Sequence, residues 1–416
     1  MAFQDQLQEY ARLTVKEGVC VTSGIYVLIR CPVIAADFGR MVMEEAFRSG
    51  AKDVIMLYSD EKTARVRYEH AALSQFETYP AWQAEQSNFY AREGTVCISI
   101  VAEDPEAFTG IDGQKLLANT KARRTALKEF YDTIDAGNLR WTIVAYPCIP
   151  WAKKVFPKET DETAVEKLWN AIFETVRITE DASGALCDTV QKWKQHDKIL
   201  KDRAAKLNQY AFASLHYKNS LGTDFRIGLP KNHIWYGGSE TSGDGYVYFP
   251  NMPTEEIFTM PHRLMADGVL CSSMPLSYQG CLIEDFSLTF KDGRVVSHRA
   301  RVGEDALTRL LDTDEGSRRL GEVALIPYDS PIRAQNILYY NTLFDENASC
   351  HFALGDCYPN TLKGGELLPE AELEALGGNH SVNHVDFMIG TADLTVLGTT
   401  HDGQQIPVFE NGNFVF

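Results

Sequence analysis

No run of about 18 apolar residues, the length a helix needs to cross a bilayer, occurs in this chain. The start, MAFQDQLQEYARLTVKEG, lacks a basic segment followed by an apolar one, so the sequence predicts neither a membrane span nor export. Positive charge is scarce: 40 Lys and Arg stand against 57 Asp and Glu, for a formal charge of −17. A surplus of that sign repels a phosphate backbone, which argues against nucleic acid as the main partner. The nine cysteines (20, 31, 97, 148, 187, 271, 281, 350 and 357) are odd in number and form no CxxC, which disfavours a disulfide framework and a thiolate zinc site. A cytoplasmic location is expected. Repeats, low-complexity tracts, GxGxxG and Walker sequences are also missing, so nothing marks a nucleotide site.

What is present is ordinary globular usage, 44% hydrophobic and 23% charged, in 416 residues, a length that suits two large domains. A strand near 21–28, an amphipathic helix near 34–48, a stop at Ser49-Gly50 and a strand over 53–58 read as a βαβ unit. Further strands over 94–101 and 141–146 flank a helix expected over 113–136. This predicts an N-terminal α/β domain with a largely parallel sheet. Helical patterns over 164–178, capped near Thr160, and over 187–208 form a connector, which bounds that domain at 1–208. From 209 to 416 short alternating segments (216–221, 224–229, 246–249, 282–291, 294–300) predict a mixed α+β, sheet-rich domain, with short helices over 304–311 and 369–376.

The chemistry gathers in that second half. In Asn383-His-Val-Asp-Phe-Met-Ile-Gly390 an extended strand points His384 and Asp386 to one face and Val385 and Phe387 to the other. Imidazole with carboxylate suits Zn²⁺, Co²⁺ or Mn²⁺, although a solvated strand face, or an Asp that merely orients a His, fits the same letters. In Glu255-Glu256 the two carboxylates point opposite ways, so one reaches a given site and the other is expected in solvent. Glu322 opens the apolar run 323–326, where a buried carboxylate needs a cation or a salt bridge. His351 follows Glu346 by five residues, a pair that by itself reads as packing as readily as catalysis. Together, two Glu, two His and one Asp suffice to hold two divalent ions, as in two-metal hydrolases.

Four ordered motifs carry a family resemblance: Thr-Glu-Glu-Ile-Phe-Thr-Met-Pro-His-Arg, Gly-Glu-Val-Ala-Leu-Ile-Pro, Tyr-Tyr-Asn-Thr-Leu-Phe-Asp-Glu-Asn-Ala-Ser-Cys-His-Phe-Ala-Leu-Gly and His-Val-Asp-Phe-Met-Ile-Gly. Spread from Pro253 to Gly390, they resemble the thermophilic-type metalloaminopeptidases (peptidase family M29, the aminopeptidase T, AmpS and PepS group). The resemblance implies a cytoplasmic, homodimeric exopeptidase that uses two divalent ions (Zn, Co or Mn) to release N-terminal amino acids from peptides with a free N-terminus. It further implies that 209–416 is the catalytic domain, with Glu256, Glu322, His351, His384 and Asp386 as metal ligands and Glu346 and Tyr358 as the catalytic pair. A Tyr before Pro359 also reads as a packed turn residue. His262 and Arg263 are left open between steering the peptide and bracing the fold, and His380 is placed in a loop outside the ligand strand. Cys350 lacks any activating arrangement for a thiol protease. The competing readings are another two-metal hydrolase, such as an amidase or phosphoesterase, and a catalytically silent binding relative.

Overall fold

The computed structural model describes residues 3–181, 184–279 and 281–416, and the chain forms two compact units. One is Met1–His196 with Ser239–Thr254, the other Asp197–Gly238 with Glu255–Phe416. In the first, strands Tyr26–Pro32, Asp53–Ser59, Val96–Val101, Trp141–Ala145 and Asn251–Met252 form a parallel sheet in the order 251–252, 141–145, 96–101, 26–32, 53–59. Val27, Leu28 and Ile29 are buried in succession and Cys31 beyond Arg30 is buried too, the pattern of a strand covered on both faces. Helix Ala36–Arg48 buries Phe38, Gly39, Val42, Glu45 and Ala46, one face at helical spacing. A Cβ on Gly39 would stand 2.8 Å from the Cys31 sulfur, so glycine is what lets this helix lie so close to the strand.

The α/β, parallel-sheet expectation holds for this part, with shifted element bounds. The strand expected over 21–28 begins only at Tyr26, because Gly24 adopts φ +84° and turns the chain before it. The single helix expected over 113–136 is two, Gly113–Ala126 and Lys128–Asp135, parted at Leu127.

The second unit is sheet-rich, as its short alternating segments predict, and its strands pair antiparallel, a direction the alternation does not carry. A large sheet runs in the order 276–278, 281–291, 266–271, 224–228, 212–218, 395–400, 405–410, 413–414, with 294–302 paired to 281–291. A smaller one runs 384–388, 351–355, 320–325, 257–259, 236–237. Their inner faces share one apolar core: Phe352 of the small sheet meets Tyr217 and Phe225 of the large one at ring separations of 5.1 and 5.4 Å, and Phe387 meets Phe286 at 5.7 Å. Helix Glu304–Leu311 adds Ala306, Leu307, Leu310 and Leu311 to the same core. Among the described residues no helix is long and apolar enough to cross a membrane.

Candidate metal centre

The small sheet has one apolar face and one chemical face, and strand period decides which residue goes where. On the core side Thr259, Val323, Phe352 and Phe387 stand in register across four strands, flanked by the pairs Ile257–Leu325 and Leu354–Val385. On the other side the register rows are Phe258–Ala324–His351–Met388, Glu322–Ala353–Asp386 and Gly355–His384. Ala353 thus stands between Glu322 and Asp386, Ala324 beside His351 and Gly355 beside His384, so a small residue neighbours each of these side chains.

Glu322 reaches this face through a bulge. Leu320 pairs with Leu354 and points into the core, and in a regular strand Glu322, two residues on, would follow it there. The register shifts between Leu320 and Glu322, so Glu322 pairs with Ala353 instead and turns to the polar side. Gly321 is the extra residue. A Cβ there would lie 1.9 Å from the Asp356 carbonyl oxygen, a clash no other side chain avoids.

Two groups of ligand-type atoms result, Glu256–Glu322–His351 and Glu322–His384–Asp386, each with its atoms within 4.8 Å of one another. His351 Nε2 lies 3.3 Å from Glu256 Oε2 and 3.9 Å from Glu322 Oε1. His384 Nε2 lies 3.0 Å from Glu322 Oε2 and 3.4 Å from Asp386 Oδ1. Both rings are aimed from behind: His351 Nδ1 meets the carbonyls of Glu346 (3.0 Å) and Ser349 (3.1 Å), and His384 Nδ1 that of Asp356 (2.8 Å). A carbonyl can only accept, so each Nδ1 carries an N–H and Nε2 is the nitrogen turned to the carboxylates, the usual orientation of a metal-ligating histidine.

The set fits divalent cations. Glu256, Glu322 and His351 are buried, and Asp386 Oδ1 is buried and makes no well-formed hydrogen bond, with His384 Nε2 3.4 Å away, a costly state for a carboxylate that a cation relieves. All donors are oxygen or imidazole nitrogen, which suits Zn²⁺, Co²⁺ or Mn²⁺. The electrostatics agree. Burial opposes a charge on His351, yet Glu256, Asp386 and Glu322 override it and push the imidazole up to about 10; His384 is raised the same way by Asp386 and Glu322. Burial, then Asp386 and Glu256, hold the Glu346 carboxyl well above the usual carboxylate range.

Glu346 is half-buried at the end of the short helix Thr342–Asp345. Beside it Asn347 is fully buried and hydrogen-bonded on every side, a residue that sequence reasoning passed over although it lies inside a quoted motif. Tyr358 is 38% exposed, with its ring 4.7 Å from that of His384 and edge-on to Phe258 at 5.7 Å. The structure therefore gathers all five expected ligands, with Tyr358 at the accessible side of His384.

Other expectations resolve differently. Glu255, expected on a strand and in solvent, is 5% exposed and, like Glu256, lies just ahead of the strand Ile257–Thr259; its charge acts on Arg203. Arg263 is ion-paired to Glu374 at 2.9 Å, and the His262 ring packs over Gly377. His380, half-exposed, pairs with Asp356 at 3.2 Å and belongs to neither ligand group. Burial pushes the Cys350 thiol up to about 12, which leaves it unreactive.

A family model described as thermophilic metalloprotease (M29) matches residues 3–414. Aminopeptidase AmpS of Bacillus subtilis is 43% identical over 415 residues, 100% of both chains. Aminopeptidase 2 of Geobacillus stearothermophilus is 40% identical over 414 residues, 100% of this chain and 98% of that one. The solved structure of wild-type AmpT from Thermus thermophilus superposes with a TM-score of 0.90 at 38% identity, covering 100% of both chains. A dihydroxypyridine dioxygenase from Pseudomonas putida, at 13% identity and a TM-score of 0.51 over 100% of this chain and 98% of its own, shares the fold alone.

Proposed function

This chain belongs to the thermophilic metalloprotease (M29) family and is an aminopeptidase, and on that premise we propose that it works with two divalent ions held on the polar face of the small sheet. Glu256, Glu322 and His351 would hold one ion and Glu322, His384 and Asp386 the other, with Zn, Co and Mn all compatible with the donors. The observation that carries this reading is the pair of ligand groups sharing Glu322.

When bound, such ions supply Lewis acidity toward the peptide carbonyl and make a water acidic enough to lose its proton near neutral pH. Glu346 takes that proton on its carboxylate and delivers it to the leaving amine. Its half-buried position beside His351, whose Nδ1 meets the Glu346 carbonyl at 3.0 Å, supports this role. Tyr358 donates its O–H to the oxygen that gains negative charge as the carbonyl carbon becomes tetrahedral. Its exposure beside His384 supports contact with substrate. All seven residues fall within 209–416, which we take as the catalytic domain. The homodimer and the cytoplasmic location that the motifs imply belong to the same proposal, and the nine free thiols suit a reducing compartment.

The test is hydrolysis of a leucyl reporter amide by metal-stripped protein, before and after adding Co²⁺ or Zn²⁺, with the N-acetylated reporter alongside. Activity is expected only with metal and only on the free amine. Equal cleavage of the acetylated reporter would make the chain a different amide hydrolase. Glu346→Gln should retain its metal while losing about 10²–10⁴-fold in turnover; full activity in that variant removes Glu346 from the mechanism.

A further inference from the structure

Asn347 has no exposed surface and uses its whole side chain. Its amide nitrogen donates to the Leu343 carbonyl at 2.9 Å and to Glu346 Oε1 at 3.3 Å, and its amide oxygen accepts the Glu255 N–H at 2.7 Å. One rigid group thus ties three things together: the short helix that ends at Asp345, the Glu346 carboxylate, and the backbone one residue before Glu256. Only an amide does this, since the site needs donors on one side and an acceptor on the other. An aspartate of the same shape keeps the acceptor but sets a second negative oxygen against Glu346, and an alanine loses every bond.

We propose that Asn347 is a positioning residue that fixes the Glu346 carboxylate at a set distance from the segment bearing Glu256. The inference rests on Glu346 being the proton carrier. Its chemical logic is that a proton acceptor free to swing between rotamers spends part of its time out of reach of the water it must deprotonate, and a misplacement of about 1 Å at a reacting group can cost about 100-fold in rate. The Leu343 and Glu255 bonds hold the amide plane, and the amide plane holds Glu346. Neither bond touches a ligand side chain, so the effect falls on turnover and not on ion binding.

The experiment compares Asn347→Asp, Glu346→Gln and the double variant in the full-length, metal-loaded protein, measuring kcat, KM and bound metal per chain. Asn347→Asp is expected to lower kcat about 10–100-fold, the usual cost of removing a partner that orients an active group, with KM and metal content at wild-type values. The double variant is expected to be no slower than Glu346→Gln alone, because Asn347 has then nothing left to position. A kcat within twofold of wild type for Asn347→Asp overturns the proposal. So does a loss of metal that parallels the loss of kcat, which would make Asn347 a support of the ligand segment only, and so does a further drop in the double variant. Should Asn347→Asp fail to fold, Asn347→Ser is read by the same three criteria. Wild-type turnover in Glu346→Gln would instead show that the assignment of Glu346 is at fault.

Discussion

Glu322→Gln removes the one side chain common to both ligand groups and changes almost nothing else in shape. In wild-type protein at an ion concentration about 100 times Kd, each bound ion stabilises the folded chain by about 2.7 kcal/mol, or about 5 kcal/mol for two. A unit of about 200 residues, the size of the one that holds the site, shifts its Tm by about 2–4 °C per kcal/mol, so ions should raise Tm by about 10–20 °C. If losing the shared carboxylate weakens each ion about 100-fold, the same concentration gives only about 0.4 kcal/mol per ion, and the rise shrinks to about 2–3 °C. Without ions the sign is different. Glu322 sits among Glu256, Glu346 and Asp386, and burial followed by the charge of Glu256 raises its own carboxyl, although His384 partly offsets this. Making it neutral relieves that repulsion, so the stripped variant should melt no lower than stripped wild type. Thermal melts with chelator and with Zn²⁺ or Co²⁺ read both signs. A variant that melts lower when stripped yet gains as much from ions as wild type would falsify the ligand role and leave Glu322 as a salt-bridge partner of His384.

Tyr358→Phe keeps the ring against His384 and Phe258 and deletes only the hydroxyl, so kcat should fall about 10²–10³-fold with metal content unchanged; steady-state kinetics showing wild-type kcat would exclude an oxyanion contact. His384→Ala should leave fewer than two ions per chain by elemental analysis, and an unchanged count would contradict its place among the ligands. Gly321→Ala drives a Cβ to within 1.9 Å of the Asp356 carbonyl, so it should cost about 1–3 kcal/mol in denaturant unfolding and weaken metal binding by turning Glu322, and a variant unaffected in both would refute the bulge argument. Metal affinity should rise with pH: the carboxylates keep His351 protonated up to about 10 and raise His384 as well, and a ligand imidazole must be neutral, so each ion displaces protons on binding. Competition with a chelator of known affinity at pH 6.5, 7.5 and 8.5 measures this, and an affinity that is flat or falls over that range contradicts it.

The two fold classes were legible because the periods differ. The apolar succession at 27–29 and the one-sided helix after that strand point to a helix-covered parallel sheet, and the short alternating segments beyond 209 mark a sheet-rich part whose strand directions only the structure supplies. Within a single strand the sequence was also sufficient: the spacing of His384 and Asp386 sends both to one face while Phe387 goes to the core. Between strands it was not. Nothing local indicates that Ala353 stands between Glu322 and Asp386, because cross-strand register depends on pairing partners far along the chain. Glu255 read as a solvated neighbour of Glu256, yet it is buried just ahead of the strand Ile257–Thr259, which only the packing of the second unit fixes. Glu322 shows the division most clearly. Alternation from Leu320 points it into the apolar core, and the extra residue Gly321 turns it out to His351 and His384. A bulge is a property of two paired strands, so the residue types and the family motifs were set by the sequence alone, while the face on which the shared carboxylate stands was decided by tertiary pairing.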